Sequence, residues 1–182
     1  MRADRRARPL RTRHHSARRR ARALEFPAGS FDAIVCLEAA GAICVTEPGK
    51  GRLVGELFRV LRPGGYVGFS DLALRAHPSP AEDRVLRAVL YHSGAELVTD
   101  WPAVFASHGF RVVECQDIIS ETPPTWKHAR AVYERRDGEV SHRYGQGLVD
   151  RVAARLERIP RILAAHGTFP TLCAHKPSGA SG

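Results

Sequence analysis

The sequence predicts an α/β fold, because strand-like and helix-like segments alternate along most of its 182 residues. Turn residues at 27–30 precede the mostly apolar run Phe31–Leu37, which is typical of a strand buried on both faces. Apolar residues then recur at three- and four-residue spacing between Gly51 and Arg62, as in an amphipathic helix. We expect one folded unit, since this length is typical of a single domain.

The later elements continue the alternation. Pro63-Gly64-Gly65 ends the first helix, and Tyr66–Leu72 is the next strand. Ser79-Pro80-Ala81-Glu82 is a capping box with proline at the first helical position, so it predicts a helix start. The remaining predicted elements are a helix at 101–108, a strand at 110–119, a helix from Pro123 to near Asp137-Gly138, a helix through 149–163 that is bent at Pro160 and closed at Gly167, and a strand at 168–174.

Positive charge is concentrated at the N-terminus. The first 23 residues contain ten arginines and one acid, Asp4, whereas the acids and bases of the rest balance, although the whole chain carries a net charge of +9. Apart from alanines and the initial Met1, Leu10 is the only sizeable apolar side chain there, so this segment cannot bury enough surface to order itself. We therefore predict a disordered Arg-rich tail at 1–22, a folded domain at 23–177 and a flexible end at 178–182.

Several classes of site and location are disfavoured. No run approaches the roughly 18 apolar residues of a membrane span, and no apolar stretch follows the basic start as in a secretory signal, so we expect a soluble cytoplasmic protein. Cys36, Cys44, Cys115 and Cys173 form no Cys-x-x-Cys pair and are expected to be reduced and mostly buried. The nine histidines lack zinc-ligand spacing, and we predict no metal site.

Two motifs in order resemble a known family. The segment FPAGSFDAIVCLE at 26–38, followed by RVLRPGGYV at 59–67, resembles the fourth and fifth strands of class I S-adenosylmethionine-dependent methyltransferases that act on small molecules. The likeness continues through SHGFRV at 107–112 and extends over about 21–177. The resemblance implies a Rossmann-like sheet of about four strands, the last antiparallel, with flanking helices, and a methyltransferase that uses S-adenosylmethionine on a small-molecule or lipid-like substrate.

The resemblance also assigns site residues. In an open parallel sheet, ligands bind beyond the carboxyl ends of the strands, so residues that follow Leu37 and Ser70 should border the site. In the family the first position lines the cofactor pocket, which makes Leu37 and Glu38 cofactor-side candidates, together with Ala21 from the preceding motif. Asp71 is the substrate-side candidate, with a loop cap as its alternative role. Tyr91, His92, Trp126 and His128 lie on segments that can cover the pocket, and no catalytic residue is assigned.

The sequence departs from the family pattern before Ala21. The family begins with a strand, a glycine-rich loop that holds the methionine part of the cofactor, and a second strand with an acidic residue for the ribose. The Arg-rich segment contains no glycine, and Arg19-Arg20 stands where the family often has Gly-Asp. We therefore expect the cofactor-binding half to be missing, through truncation, a wrong start or a frameshift, and the chain alone to be inactive or weak.

Two other functions compete with methyl transfer. Gly49, Gly51 and Gly55 form a GxGxxxG run that opens a helix, with Asp71 twenty residues after Gly51, as in a nicotinamide-dinucleotide site. However, eleven residues separate Leu37 from Gly49, whereas that fingerprint requires its first glycine directly after the strand. Alternatively, the Arg-rich tail binds nucleic-acid phosphate, although no aromatic residue lies between the arginines to stack on bases.

The resemblance has one consequence for association. If the first strand of the family is missing, Phe31–Leu37 lies at an open edge of the sheet. An apolar edge is a template for pairing with another chain. We therefore expect homodimers or aggregation through this edge.

Overall fold

The computed structural model describes residues 24–40, 47–90 and 98–179. In order, the elements are β1 (Phe31–Leu37), α1 (Glu47–Val60), β2 (Leu61–Ser70), β3 (Ala73–Leu74), α2 (Pro80–Leu90), α3 (Trp101–Ser107), β4 (Arg111–Asp117), a 3-10 helix (Ile119–Glu121), α4 (Pro123–Arg135), α5 (Asp137–Tyr144), α6 (Gln146–His166), β5 (Gly167–Thr168) and β6 (Pro170–His175). In the first part of the described chain, from β1 to α2, strands and helices alternate as the sequence predicted.

Four strands form a mixed sheet in the order β1-β2-β6-β4. The pair β1–β2 is parallel, and β6 runs antiparallel to both β2 and β4. The predicted α/β class, with about four strands and the last one antiparallel, is therefore confirmed. Since β1, β2 and β4 run in the same direction, their carboxyl ends lie at one edge of the sheet, which we call the carboxyl edge.

One face of the sheet carries the first core. Helices α1 and α3 cover it with apolar side chains at the spacing seen in the sequence, including Leu53, Leu57 and Phe105. The sheet contributes Val67, Phe69, Leu172 and Ala174, which are all buried. Phe69 lies against Trp101 and Phe105, with ring centroids 4.7 and 5.1 Å apart.

The other face of β1 is open. Val35 and Leu37 are 74% and 59% exposed, which contradicts the expectation that β1 is buried on both faces. Only Ile34 and Cys36, which alternate with them, pack on the first core. The predicted edge position of β1 is confirmed by the strand order of the described sheet, while dimerisation through this edge remains a prediction.

Two long connections leave the sheet at the carboxyl edge and form a second layer of packing. The connection after β2 carries α2, and the connection after β4 carries α4, α5 and α6. Helix α6 packs on α2, α4 and α5. Leu86, Ile159 and Leu163 are buried in the resulting second core. We call α2 together with α4–α6 the cap.

The N-terminal boundary of α2 confirms the predicted capping box. The carboxylate Oε2 of Glu82 accepts hydrogen bonds from the Ser79 backbone nitrogen at 2.8 Å and from Ser79 Oγ at 2.7 Å. These bonds, together with His166 nearby, hold the pKa of Glu82 below its ordinary value despite an opposing effect of burial. Helix α6 ends at His166 with Gly167 as its C-cap, as predicted.

Three details differ from the sequence-based expectations. Strand β2 begins at Leu61 and includes Pro63-Gly64-Gly65, which the sequence predicted to be a turn between α1 and the strand. The pairing of β1 with β2 is irregular between Phe31 and Ala33, and this irregularity accommodates the turn. Gly64 has a φ of +77°. Helix α4 ends at Arg135, close to the predicted stop near Asp137-Gly138, but a further helix that was not predicted, α5, begins at Asp137. Cys115 is an exposed residue rather than a buried one, and partial desolvation of its thiol, together with the negative charges of Asp117 and Asp100, raises its pKa.

Within the described residues, no helix is both long and apolar enough to cross a membrane. The same residues contain no group of three or more His, Cys, Asp or Glu side chains arranged to hold a metal ion. Three parts of the sequence-based predictions lie outside the described residues: the Arg-rich tail, Cys44, and residues 180–182 of the C-terminal end that was predicted to be flexible.

Candidate active site

A pocket lies between the carboxyl edge of the sheet and the cap. Its volume is about 380 Å³. Its lining includes residues that closely follow β1, β2 and β4, a residue that precedes β6, and residues of α4 and α6. The lining residues are Glu38, Leu72, Ile118, Ile119, Glu121, Thr122, Thr125, Trp126, Leu163 and Phe169. We call this cavity the cap pocket.

Glu38 enters the cap pocket from the end of β1. Its backbone nitrogen donates a hydrogen bond to the Ser70 carbonyl oxygen at 2.7 Å, which joins the ends of β1 and β2. Its φ of +48° makes it the one described non-glycine residue in the left-handed region. Because this conformation is uncommon outside glycine, it is a recognised mark of functional segments. The predicted cofactor-side residue is thus part of a cavity.

Three other predicted residues, Leu37, Asp71 and His128, do not line the cap pocket. Leu37 is 59% exposed on the open face of β1 and does not line the cap pocket. Asp71 is buried at the end of β2, and the neighbouring Leu72 lines the pocket instead. Ala21, Tyr91 and His92 lie outside the described residues, and His128 is exposed on α4.

Trp126 lies on a segment of the cap that was predicted to cover the pocket. In the structure its side chain lines the cap pocket. The side chain packs on the second core. Its Nε1 atom is buried and has no hydrogen-bond partner among the described residues. A buried indole N–H without a partner is energetically costly, so it is a natural point of contact for a ligand.

Asp117 fixes one wall of the cap pocket. Its Oδ1 accepts hydrogen bonds from the backbone nitrogens of Ile119 at 3.0 Å and Phe169 at 2.8 Å. Its Oδ2 accepts from Thr168 Oγ1 at 2.8 Å and forms an ion pair with Arg75. Burial alone would raise the pKa of Asp117, but these bonds and the Arg75 charge outweigh it and lower the pKa. Asp117 therefore holds together two segments of the pocket that are distant in sequence.

The segment before β1 is also held firmly. Arg59 on α1 donates from Nη1 to the Phe26 carbonyl at 2.8 Å and from Nη2 to the Leu24 carbonyl at 2.7 Å. Glu56 accepts from the Leu24 nitrogen at 2.8 Å and pairs with Arg59. Its hydrogen bond with Arg59 lowers the pKa of Glu56 and raises that of Arg59. This clamp fixes the chain that leads into the cofactor-side strand.

The glycine run proposed as a nucleotide loop has a different setting. Gly51 and Gly55 lie inside α1, not in a turn that follows β1. A Cβ atom on Gly51 would lie 3.3 Å from the ring of His108, and one on Gly55 would lie 3.6 Å from it. The two glycines therefore allow close packing of α1 against the end of α3.

A second cavity has a volume of about 370 Å³. Its lining includes Leu74, Val98, Trp101 and Cys115. It contains neither Leu37 nor Glu38. We therefore place the candidate site in the cap pocket.

Comparisons with known proteins agree with this class of fold. Residues 1–65 match the family model described as a methyltransferase domain. This match begins at residue 1, whereas the resemblance to methyltransferases described in the sequence analysis begins near Ala21. Methyltransferase GfsG from Streptomyces halstedii is 28% identical over 105 residues, which are 56% of this chain and 36% of that protein.

Solved structures share the α/β architecture. The phosphoethanolamine N-methyltransferase 2 of Haemonchus contortus, in complex with S-adenosyl-L-methionine, superposes with a TM-score of 0.67 at 17% identity, over 86% of this chain and 36% of that one. The [4+2]-cyclase SpnF superposes with a TM-score of 0.64 at 24% identity, over 87% of this chain and 55% of that one. At these identities the likeness shows the fold alone, and the chain spans about a third to a half of these proteins.

Proposed function

We propose that this chain takes part in S-adenosylmethionine-dependent methyl transfer to a small-molecule or lipid-like acceptor. The observation that carries the proposal is the cap pocket, which joins Glu38 at the end of β1 to Leu72, Ile118 and Phe169 next to the other strands. Ligands of open α/β sheets bind at this edge. The match of residues 1–65 to a methyltransferase domain selects methyl transfer among the functions that such a fold supports.

The residues at the end of β1 fit one wall of a site for the cofactor. Leu37 presents an exposed apolar side chain, and Glu38 presents an exposed carboxylate beside it. We propose that Leu37 packs against the adenosine and that Glu38 accepts hydrogen bonds from its donor groups. The cofactor would supply a methyl group on a positively charged sulfur. No described residue is assigned to the methionine end, because the described residues before β1, 24–30, contain no strand followed by a glycine-rich turn.

The cap pocket serves the methyl acceptor in this proposal. Its apolar side chains exclude water and hold the acceptor at the carboxyl edge, next to Glu38. Most of the catalysis in such a transfer comes from holding the two reactants close and aligned. Asp71, which is buried and directly precedes Leu72, is assigned to the substrate side of this wall.

The proposal predicts weak, saturable binding of S-adenosylhomocysteine by the full chain. Replacing Glu38→Ala should weaken that binding by about tenfold, since a hydrogen bond to a charged group contributes roughly 1.5–3 kcal/mol. Titration calorimetry measures both affinities. Glu114→Ala is the control, because Glu114 is an exposed carboxylate on β4 that does not line the pocket.

Two results would count against this function. The first is a chain that takes up no S-adenosylhomocysteine although circular dichroism shows it folded. The second is equal affinity in the wild-type chain and the Glu38→Ala variant, which would place the cofactor away from the end of β1.

A further inference from the structure

The charged groups of the cap pocket all carry the same sign. Among its lining residues that the structure describes, Glu38 and Glu121 are carboxylates, and none is Lys, Arg or His. The net charge of the described lining is therefore negative, although the whole chain is strongly basic. An anionic ligand would meet two like charges in this pocket, which disfavours its binding.

The remaining polar side chains of the lining are Thr122, Thr125 and Trp126. The hydroxyl of Thr122 donates to the Ile119 carbonyl at 2.8 Å, so its lone pairs are what it offers to a ligand. The donors left are the Thr125 hydroxyl and the buried Trp126 Nε1. Trp126 also brings an indole ring into the wall, and tryptophan is the side chain that attracts cations best.

The rest of the wall is apolar. Leu72, Ile118, Ile119, Leu163 and Phe169 surround the carboxylates. Such a lining favours a ligand with an apolar body and a small number of polar groups. The matching ligand presents hydrocarbon to these side chains and a positively charged donor to Glu38 and Glu121.

We propose that the cap pocket selects an amine-bearing, otherwise apolar acceptor and rejects acceptors that carry phosphate or carboxylate. This inference rests on the proposed function, since it names the substrate class of the same site. The ammonium group lies within the field of the two carboxylates and the Trp126 ring. The hydrocarbon part lies on the apolar wall formed by β-strand ends and α6.

Three probes with one hydrocarbon chain separate charge from hydrophobicity: octylamine, octan-1-ol and octanoate. We expect octylamine to bind the full chain about tenfold more tightly than octan-1-ol, because the ammonium group alone can form ion pairs with the carboxylates and a cation–π contact. Octanoate should bind most weakly. Tryptophan fluorescence reports binding, since Trp126 lines the cap pocket and the chain has two tryptophans, with Trp101 buried in the first core.

The variant carrying both Glu38→Gln and Glu121→Gln tests the source of the preference. It should bind octylamine and octan-1-ol with equal affinity. The Glu114→Gln variant should retain the tenfold preference. Octanoate binding as tightly as octylamine, a preference that persists in the double variant, or no binding of any probe to the folded chain would overturn the inference.

The same samples separate this inference from the proposed function. S-adenosylhomocysteine binding with no preference for octylamine contradicts the substrate class alone. A preference for octylamine with no binding of S-adenosylhomocysteine contradicts methyl transfer and leaves a pocket for cationic amphiphiles.

Discussion

Replacing Phe69→Ala should lower the free energy of unfolding by about 3–5 kcal/mol, the range found when a buried phenylalanine is truncated in a core. Phe69 is 1% exposed on the central strand β2 and contacts both Trp101 and Phe105. These rings come from α3 and hold that helix on the sheet. The cavity left by the ring cannot collapse readily, because the sheet backbone forms one of its walls.

Such a loss is a large part of the roughly 5–15 kcal/mol that stabilises an ordinary domain. Denaturant unfolding followed by circular dichroism measures it. Tyr66→Ala is the matched control, since Tyr66 is an aromatic residue on the same strand but is 46% exposed on the other face. The control should lose about 1 kcal/mol or less. Equal losses in the two variants would show that α3 does not pack on the sheet at Phe69.

Replacing Asp117→Asn should cost about 2 kcal/mol at neutral pH, because an amide cannot accept from Thr168 and Arg75 as a carboxylate does. Two backbone donors, Ile119 and Phe169, also lose a charged acceptor. The substitution should also disturb the cap pocket, since Ile119 and Phe169 both line it. Asp32→Asn, in an exposed pair with Arg62, should cost little.

The pH dependence of this loss has a defined sign. The pKa of Asp117 is lowered in the folded chain, so its contribution to stability is complete above the unfolded value, which is about 4 for aspartate. The contribution is lost as the pH falls through the lower folded pKa. The difference in unfolding free energy between wild type and Asp117→Asn should therefore shrink below about pH 4. A difference that stays constant down to acid unfolding would show that the carboxylate charge is not what holds the two segments.

Much of the fold followed from local signals in the sequence. The bounds of β1, the capping box at Ser79 and the stop at Gly167 depend on residues within a few positions of each other. The two-residue strands β3 and β5 were missed, because their pairing depends on contacts between Ala73 and Thr168 that no short pattern encodes. The break near Asp137-Gly138 was predicted, but helix α5, which begins at Asp137 and packs on α6, was missed, because its helical state depends on that tertiary packing.

The candidate site was predictable only in part. Glu38 was found from topology, since it directly follows a parallel strand. Glu121, Leu163 and Phe169 come from segments far apart in the chain, and the cap brings them together through the packing of α6 on α4. The acidic character of the cap pocket is hidden in a sequence whose net charge is +9.

NMR spectroscopy of methyl groups tests most directly whether the cofactor binds at the end of β1. S-adenosylhomocysteine titrated into a chain labelled at leucine and valine methyl groups should shift the signals of Leu37 and Leu72, while that of Leu86, buried in the second core, stays in place. Shifts confined to Leu74 and Val98, which line the second cavity, would contradict a site at the end of β1.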